Sequence, residues 1–174
     1  MIRKPSPSER PSRPSSVALS LDGLQAAVKV QCDPSWESVR ELNSYVARYV
    51  SRRLTATPAE RACLVVSELL DSASSVARAD SNLEYELLLR PGDLSNFATS
   101  ISIDTVPERA RLLGTRVHRL MQLPCEEACR TILAAVARGK EDENYLPLAR
   151  IRSEGMLLDC RETDGCVKIT ASTP

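Results

Sequence analysis

The chain has 174 residues, with 23 basic and 23 acidic side chains and only 3% aromatics. That length suits one domain with an ordinary aliphatic core. The charge balance gives no electrostatic reason to expect a nucleic-acid or membrane-surface partner, and so few aromatics argue against a base-stacking platform.

In chain order, residues 1–16 are rich in Pro and Ser and carry Arg3, Lys4, Arg10 and Arg13. Such a composition cannot bury enough apolar surface to offset ordering entropy, so a disordered basic tail is expected. A domain follows over residues 17–174. Val17, Leu19 and Leu21, then Ala27, Val28 and Val30, read as short strands around an Asp22-Gly23 turn. Asp33-Pro34 reads as an N-cap followed by proline at the first helical position, opening a helix with Trp36, Val39, Leu42, Val46, Tyr49 and Val50 on its apolar face.

Thr57-Pro58-Ala59-Glu60 reads as a capping box. The helix behind it places Ala62, Val65, Val66, Leu69, Ala73 and Val76 on one side. Leu83–Leu89 and Phe97–Ile103 alternate as strands and flank Pro91-Gly92-Asp93, an antiparallel pair with a short loop. Thr105-Val106-Pro107-Glu108 reads as a second capping box, launching a helix to about Leu123. Pro124 interrupts, and another helix is expected from Cys125 to Ala137. After a polar loop, a short helix over Leu146–Glu154 ends at Gly155, and a final hairpin turns at Thr163-Asp164-Gly165. Strands grouped in hairpins predict an α+β two-layer sandwich, with a mixed or antiparallel sheet and helices on one face.

Six cysteines (Cys32, Cys63, Cys125, Cys129, Cys160 and Cys166) and one histidine, His118, are scattered without a C-x-x-C pair. That excludes a Cys/His zinc site of standard spacing. The cysteines read as reduced, partly buried thiols, although Cys160 and Cys166 flank a turn and could face each other. No apolar run approaches the roughly 20 residues that span a bilayer, and no secretory signal opens the chain. No membrane association and a cytoplasmic location are therefore expected.

Three segments carry a family resemblance. They are Ser67-Glu68-Leu69-Leu70-Asp71-Ser72-Ala73, Ile101-Ser102-Ile103-Asp104, and Leu146-Pro147-Leu148-Ala149-Arg150-Ile151-Arg152. Together with the helix beginning at Asp33, and in this order, they resemble the GHKL fold, the ATP-binding domain of histidine kinases and anti-sigma-factor serine kinases. The resemblance extends from about Val28 onward. It implies that Glu68 stands where a general base would, and that Ser72 stands where an Asn would ligate the Mg²⁺ of bound ATP. Asp104 stands where an Asp would bond the adenine amino group.

The same segments depart from the family's pattern. Ser72 offers one weak hydroxyl in place of an amide oxygen. Asp71 is rotated by about 100° from the ligating direction. Thr105-Val106-Pro107 follows Asp104 where glycines are needed, and Tyr145-Leu146-Pro147-Leu148 replaces the glycine-rich phosphate loop. The resemblance therefore implies a degenerate domain with no catalytic residue and no cofactor or metal, Glu68, Asp71, Ser72 and Asp104 marking a vestigial pocket. It implies a regulator of partner-switching type that binds a sigma factor or STAS-type antagonist and has the capacity to homodimerise. The alternative is a divergent ATP-Mg-dependent serine kinase with Glu68 as base. Read from the residues alone, Glu68 and Asp71 also suit plain helix-surface acids, and Arg109, Arg111, Arg116 and Arg119 suit a solvated basic face.

Overall fold

The computed structural model describes residues 23–163 and 165–174; the expected tail, the Val17–Leu21 strand and Asp164 lie outside them. The elements run β1 (Gln25–Cys32), α1 (Trp36–Val50), α2 (Ala56–Val76), β2 (Leu83–Leu89) and β3 (Phe97–Asp104). Then come α3 (Pro107–Met121), α4 (Cys125–Ala137), a single 3₁₀ turn (Glu143–Tyr145), α5 (Leu146–Ser153), β4 (Leu157–Thr163) and β5 (Cys166–Ser172). The five described strands form one sheet in the order β1-β2-β3-β5-β4, and every pairing is antiparallel. The α+β expectation is met, and of the two sheet types expected it is the antiparallel one that forms.

Alternation along the strands makes one face of that sheet apolar. Leu83, Tyr85 and Leu87 on β2 lie opposite Ile103, Ile101 and Thr99 on β3. Ile103, Ile101 and Thr99 in turn face Val167, Ile169 and Ala171 on β5, and all nine are buried. Their core is shared with Val39, Leu42, Val46 and Val50 of α1, with Leu69, Leu70 and Ala73 of α2, and with Leu148 and Ile151 of α5. The opposite face is polar: Glu86 on β2 and Lys168 on β5 meet at 3.4 Å, reaching across β3 between Ser100 and Ser102.

α2 runs for 21 residues because its core-facing positions recur at helical spacing and no Gly or mid-helix Pro breaks it. Its expected face is right, with Ala62, Val65, Val66, Leu69 and Ala73 fully buried and Val76 partly so. Each enclosed leucine contributes about 1.5–3 kcal/mol of burial.

The helix starts differ from the sequence expectation. α1 is capped by Ser35, whose Oγ accepts from Ser38 N–H at 3.3 Å. Asp33 lies two residues outside, and its carboxylate accepts from Ser35 N–H at 2.8 Å and from the Ser38 hydroxyl at 2.7 Å. Thr57 is already helical, because the chain is pinned earlier: Thr55 N–H donates to the Leu94 carbonyl at 3.2 Å, and α2 starts at Ala56. α3 begins behind Val106, because the Thr105 hydroxyl donates instead to the Val76 carbonyl at 2.6 Å. Neither supposed box caps its helix: Thr57 lies inside α2, and the residue at the start of α3 is Val106, which offers no side-chain oxygen. Trp36 is also not on the core face of α1; it is 73% exposed beneath the Arg40 guanidinium, 4.7 Å from the ring centroid.

At the other end of the chain the short helix α5 ends as expected, with Gly155 behind it at φ +81. No described helix is long and apolar enough to cross a membrane.

Candidate functional site

α2 carries three of the four residues singled out; two face inward and the third faces outward. Glu68 leans towards α5, where Arg150 Nη1 donates to its Oε1 at 3.0 Å. The carboxylate is 13% exposed and the guanidinium 54%. This bond and the charge behind it hold the Arg150 pKa above its ordinary value. The other carboxylate oxygen, Oε2, is buried without a hydrogen-bond partner. One turn on, Ser72 is 1% exposed, and its Oγ is likewise buried and unpartnered. The i, i+4 spacing does put Glu68 and Ser72 on the same inward side of the helix.

Asp71 is exposed and turns the other way. It lines a shallow cleft of about 180 Å³ with Trp36, Arg40 and Asn43 of α1. Asp104 is exposed at the end of β3, beside Cys166 of β5 in register, and its carbonyl accepts from Arg78 N–H at 3.1 Å. Among the described residues, no group of three or more His, Cys, Asp or Glu side chains is arranged to hold a metal ion.

The Tyr145–Ile151 segment is packed into the core. Tyr145 ends the 3₁₀ turn that runs directly into α5. Tyr145, Leu148, Ala149 and Ile151 are all buried. Pro147 occupies the first turn of α5, where it interrupts no intrahelical bond. The Tyr145 hydroxyl donates to the Arg116 carbonyl at 2.6 Å, and burial pushes that phenol up to about 12.

Arg116 is the clearest departure from the expected solvated face of α3. It is 8% exposed, with its guanidinium 5.1 Å from the Tyr145 ring centroid. It stands 4.0 Å from Glu141 and 3.9 Å from Asp142. Arg119 also bonds Glu141. Arg109 and Arg111 stay exposed, as expected.

The cysteines give no cluster. All six are free and partly buried. Cys160 and Cys166 do not face each other: Cys160 pairs with Ile169, and Cys166 with Thr163. Desolvation pushes the Cys160 thiol up to about 12, with Asp159 and Glu162 adding to it. His118 is exposed and shares a 2.9 Å hydrogen bond with Gln122.

Sequence reasoning missed Arg150 as the partner of Glu68 and Tyr145 as the support of Arg116. No local signal could have found them, because the partners lie 82 and 29 positions apart. It also missed the open groove beside α1. Its four arginines (Arg40, Arg48, Arg52 and Arg53) were legible as a cluster, but their common exposure was not.

The sequence matches no known family model, and no curated protein is significantly similar to it.

Proposed function

We propose that this protein is a non-catalytic regulator that binds a protein partner through a degenerate GHKL-type scaffold. Within that reading the partner is a sigma factor or a STAS-type antagonist, as in partner-switching signalling. The observation that carries it is that the four marker residues do not converge on one open pocket. Glu68 is held by Arg150, Ser72 is enclosed, and Asp71 and Asp104 are exposed elsewhere. Phosphoryl transfer needs its base, metal ligand and nucleotide contacts converged on one site, because nearly all of the catalysis is positioning and charge stabilisation. The burial of Tyr145 and Leu148 supports the same reading, since these residues fill the place where backbone amides would cradle phosphate.

The divergent serine kinase remains the second reading. The observation in its favour is the pair of unpartnered polar atoms one turn apart, Glu68 Oε2 and Ser72 Oγ. A buried polar atom without a partner costs about 1–3 kcal/mol, so such a pair calls for an explanation.

Thermal unfolding with and without millimolar ATP-Mg²⁺ separates the two. The non-catalytic reading expects no change in Tm. A ligand at 100 times its Kd would add about 2.7 kcal/mol. A rise of several degrees that Glu68→Ala removes overturns the reading in favour of the kinase.

A further inference from the structure

β1 is an edge strand. It pairs with β2 on one side and with no strand on the other among the described residues. Three adjoining hollows follow α1, and the two outer ones reach that strand. At the Cys32 end the first opens to about 740 Å³ over Val30, Cys32, Leu42 and Tyr45, rimmed by Arg40 and Arg48. Tyr45 and Arg48 also line the next section, of about 430 Å³, together with Tyr49, Arg52 and Arg53. Tyr49 and Arg53 in turn line a third section, of about 320 Å³, that reaches Ala26 and Ala27 at the far end of β1. The groove they form thus follows α1 and the turn behind it, and meets β1 towards both of the strand's ends. A β-bulge between Ala26 and Val28 limits regular pairing to Val28–Cys32, about 16 Å of edge.

The floor is apolar, the wall offers a row of backbone N–H and C=O groups, and the rim is basic. Arg40, Arg48, Arg52 and Arg53 are exposed, and none lies within ion-pairing distance of a carboxylate among the described residues. Two acids, Glu41 and Asp93, stand on the rim. Asp93 is engaged within its own loop, accepting from Ser95 N–H at 2.8 Å and from the Asn96 side chain at 2.7 Å. A chain with equal numbers of acids and bases therefore concentrates cations along one groove.

We propose that this groove binds an extended acidic peptide segment of a partner protein, which adds to the sheet as a strand beside β1. Backbone bonds to Val28–Cys32 supply affinity. Alternate apolar side chains seat on Val30, Leu42 and Tyr45, and carboxylates reach the four arginines. The charge complementarity selects this occupant over the others. A second copy of the chain would bring like charges together, and residues 1–16 are themselves basic. A single-stranded nucleic acid needs a row of free stacking faces, whereas the groove's two aromatic rings are Tyr45 and Tyr49, and Arg53 covers a face of Tyr49. The proposal names the binding surface for the partner-binding reading above and rests on that reading. Its failure is read from peptide binding, whereas the failure of the non-catalytic reading is read from ATP stabilisation.

The test titrates the ¹⁵N-labelled full-length protein with an acetylated, amidated octapeptide alternating Val and Glu. The expected result is saturable shifts at β1 and α1 amides and slowed hydrogen exchange at alternate β1 residues. A tenfold or greater loss of affinity is expected in the folded triple variant Arg48→Glu/Arg52→Glu/Arg53→Glu, with no binding of the Val/Lys octapeptide. Any of four outcomes overturns the proposal: no saturation at millimolar peptide, equal binding of the Lys peptide, shifts away from the groove, or tighter binding of a ten-residue oligo-dT at the same amides. So does a free protein whose β1 edge already shows cross-strand contacts to residues 17–21 or to a second copy.

Discussion

Two faces of neighbouring helices make an instructive comparison. The inward side of α2 holds Glu68 and Ser72, residue types that read as chemistry in the sequence, yet one is tied to Arg150 and the other is enclosed. The outward side of α1 and the turn behind it holds Tyr45, Arg48 and Arg52, which no motif in the sequence singled out. There they line an open groove beside a strand edge that no other described strand pairs with. A polar group deep in packing is closed off from a partner, whether it is bonded, as Glu68 Oε1 is to Arg150, or buried without a bond, as Ser72 Oγ is. A polar group on an open rim keeps its interaction free energy for a partner.

Core substitution should separate the two faces most widely. Leu69→Ala on α2 deletes a fully buried side chain and should cost about 2–5 kcal/mol, read from urea unfolding. Tyr45→Ala on α1 is expected to cost less than about 1 kcal/mol, because the side chain is 47% exposed. Equal losses would mean that the groove is part of the core and not a free surface.

A smaller effect is expected from enlarging the side chain at position 72. Ser72→Asn forces a larger amide into an enclosed position and should destabilise by about 1–3 kcal/mol without creating nucleotide binding. Ser72→Ala should be close to neutral, because the hydroxyl it removes has no partner. If Ser72→Asn proves stable and confers an ATP-dependent rise in Tm, the α2 face is an open site after all.

The smallest effect concerns the entry to α1. The hydroxyls of Ser35 and Ser38, with the Ser35 N–H, lower the exposed Asp33 carboxyl from 3.8 to about 2. A depressed folded-state pKa stabilises above the unfolded value and loses that contribution as pH falls towards the folded one. Tm should therefore fall between about pH 4 and pH 2 in part through Asp33, and Asp33→Asn should remove that part of the slope. An unchanged slope in Asp33→Asn would mean that the turn before α1 contributes nothing to stability.

Element type was legible in local pattern. The 3.6-residue spacing of Val65, Leu69 and Ala73, and the alternation of Leu83-Tyr85-Leu87 and Ile101-Ile103, specify a helix and strands whatever surrounds them. Element starts were less legible, because side-chain oxygens near a helix start have competing partners, local at α1 and distant at α3. A threonine such as Thr105 bonds to whichever acceptor lies nearest, and here that is the Val76 carbonyl 29 positions away rather than its own helix.

The sequence by itself determined the α+β class, the order of helices and hairpins, the bulk of the core and the end of α5 at Gly155. Periodicity and turn chemistry are properties of a few adjacent residues. Only the tertiary structure decided that Arg150 closes over Glu68, that Arg116 is drawn under Tyr145 and that the cations of α1 line an open strand edge. Burial and pairing across tens of positions depend on which elements pack together, and no window of the chain contains both partners.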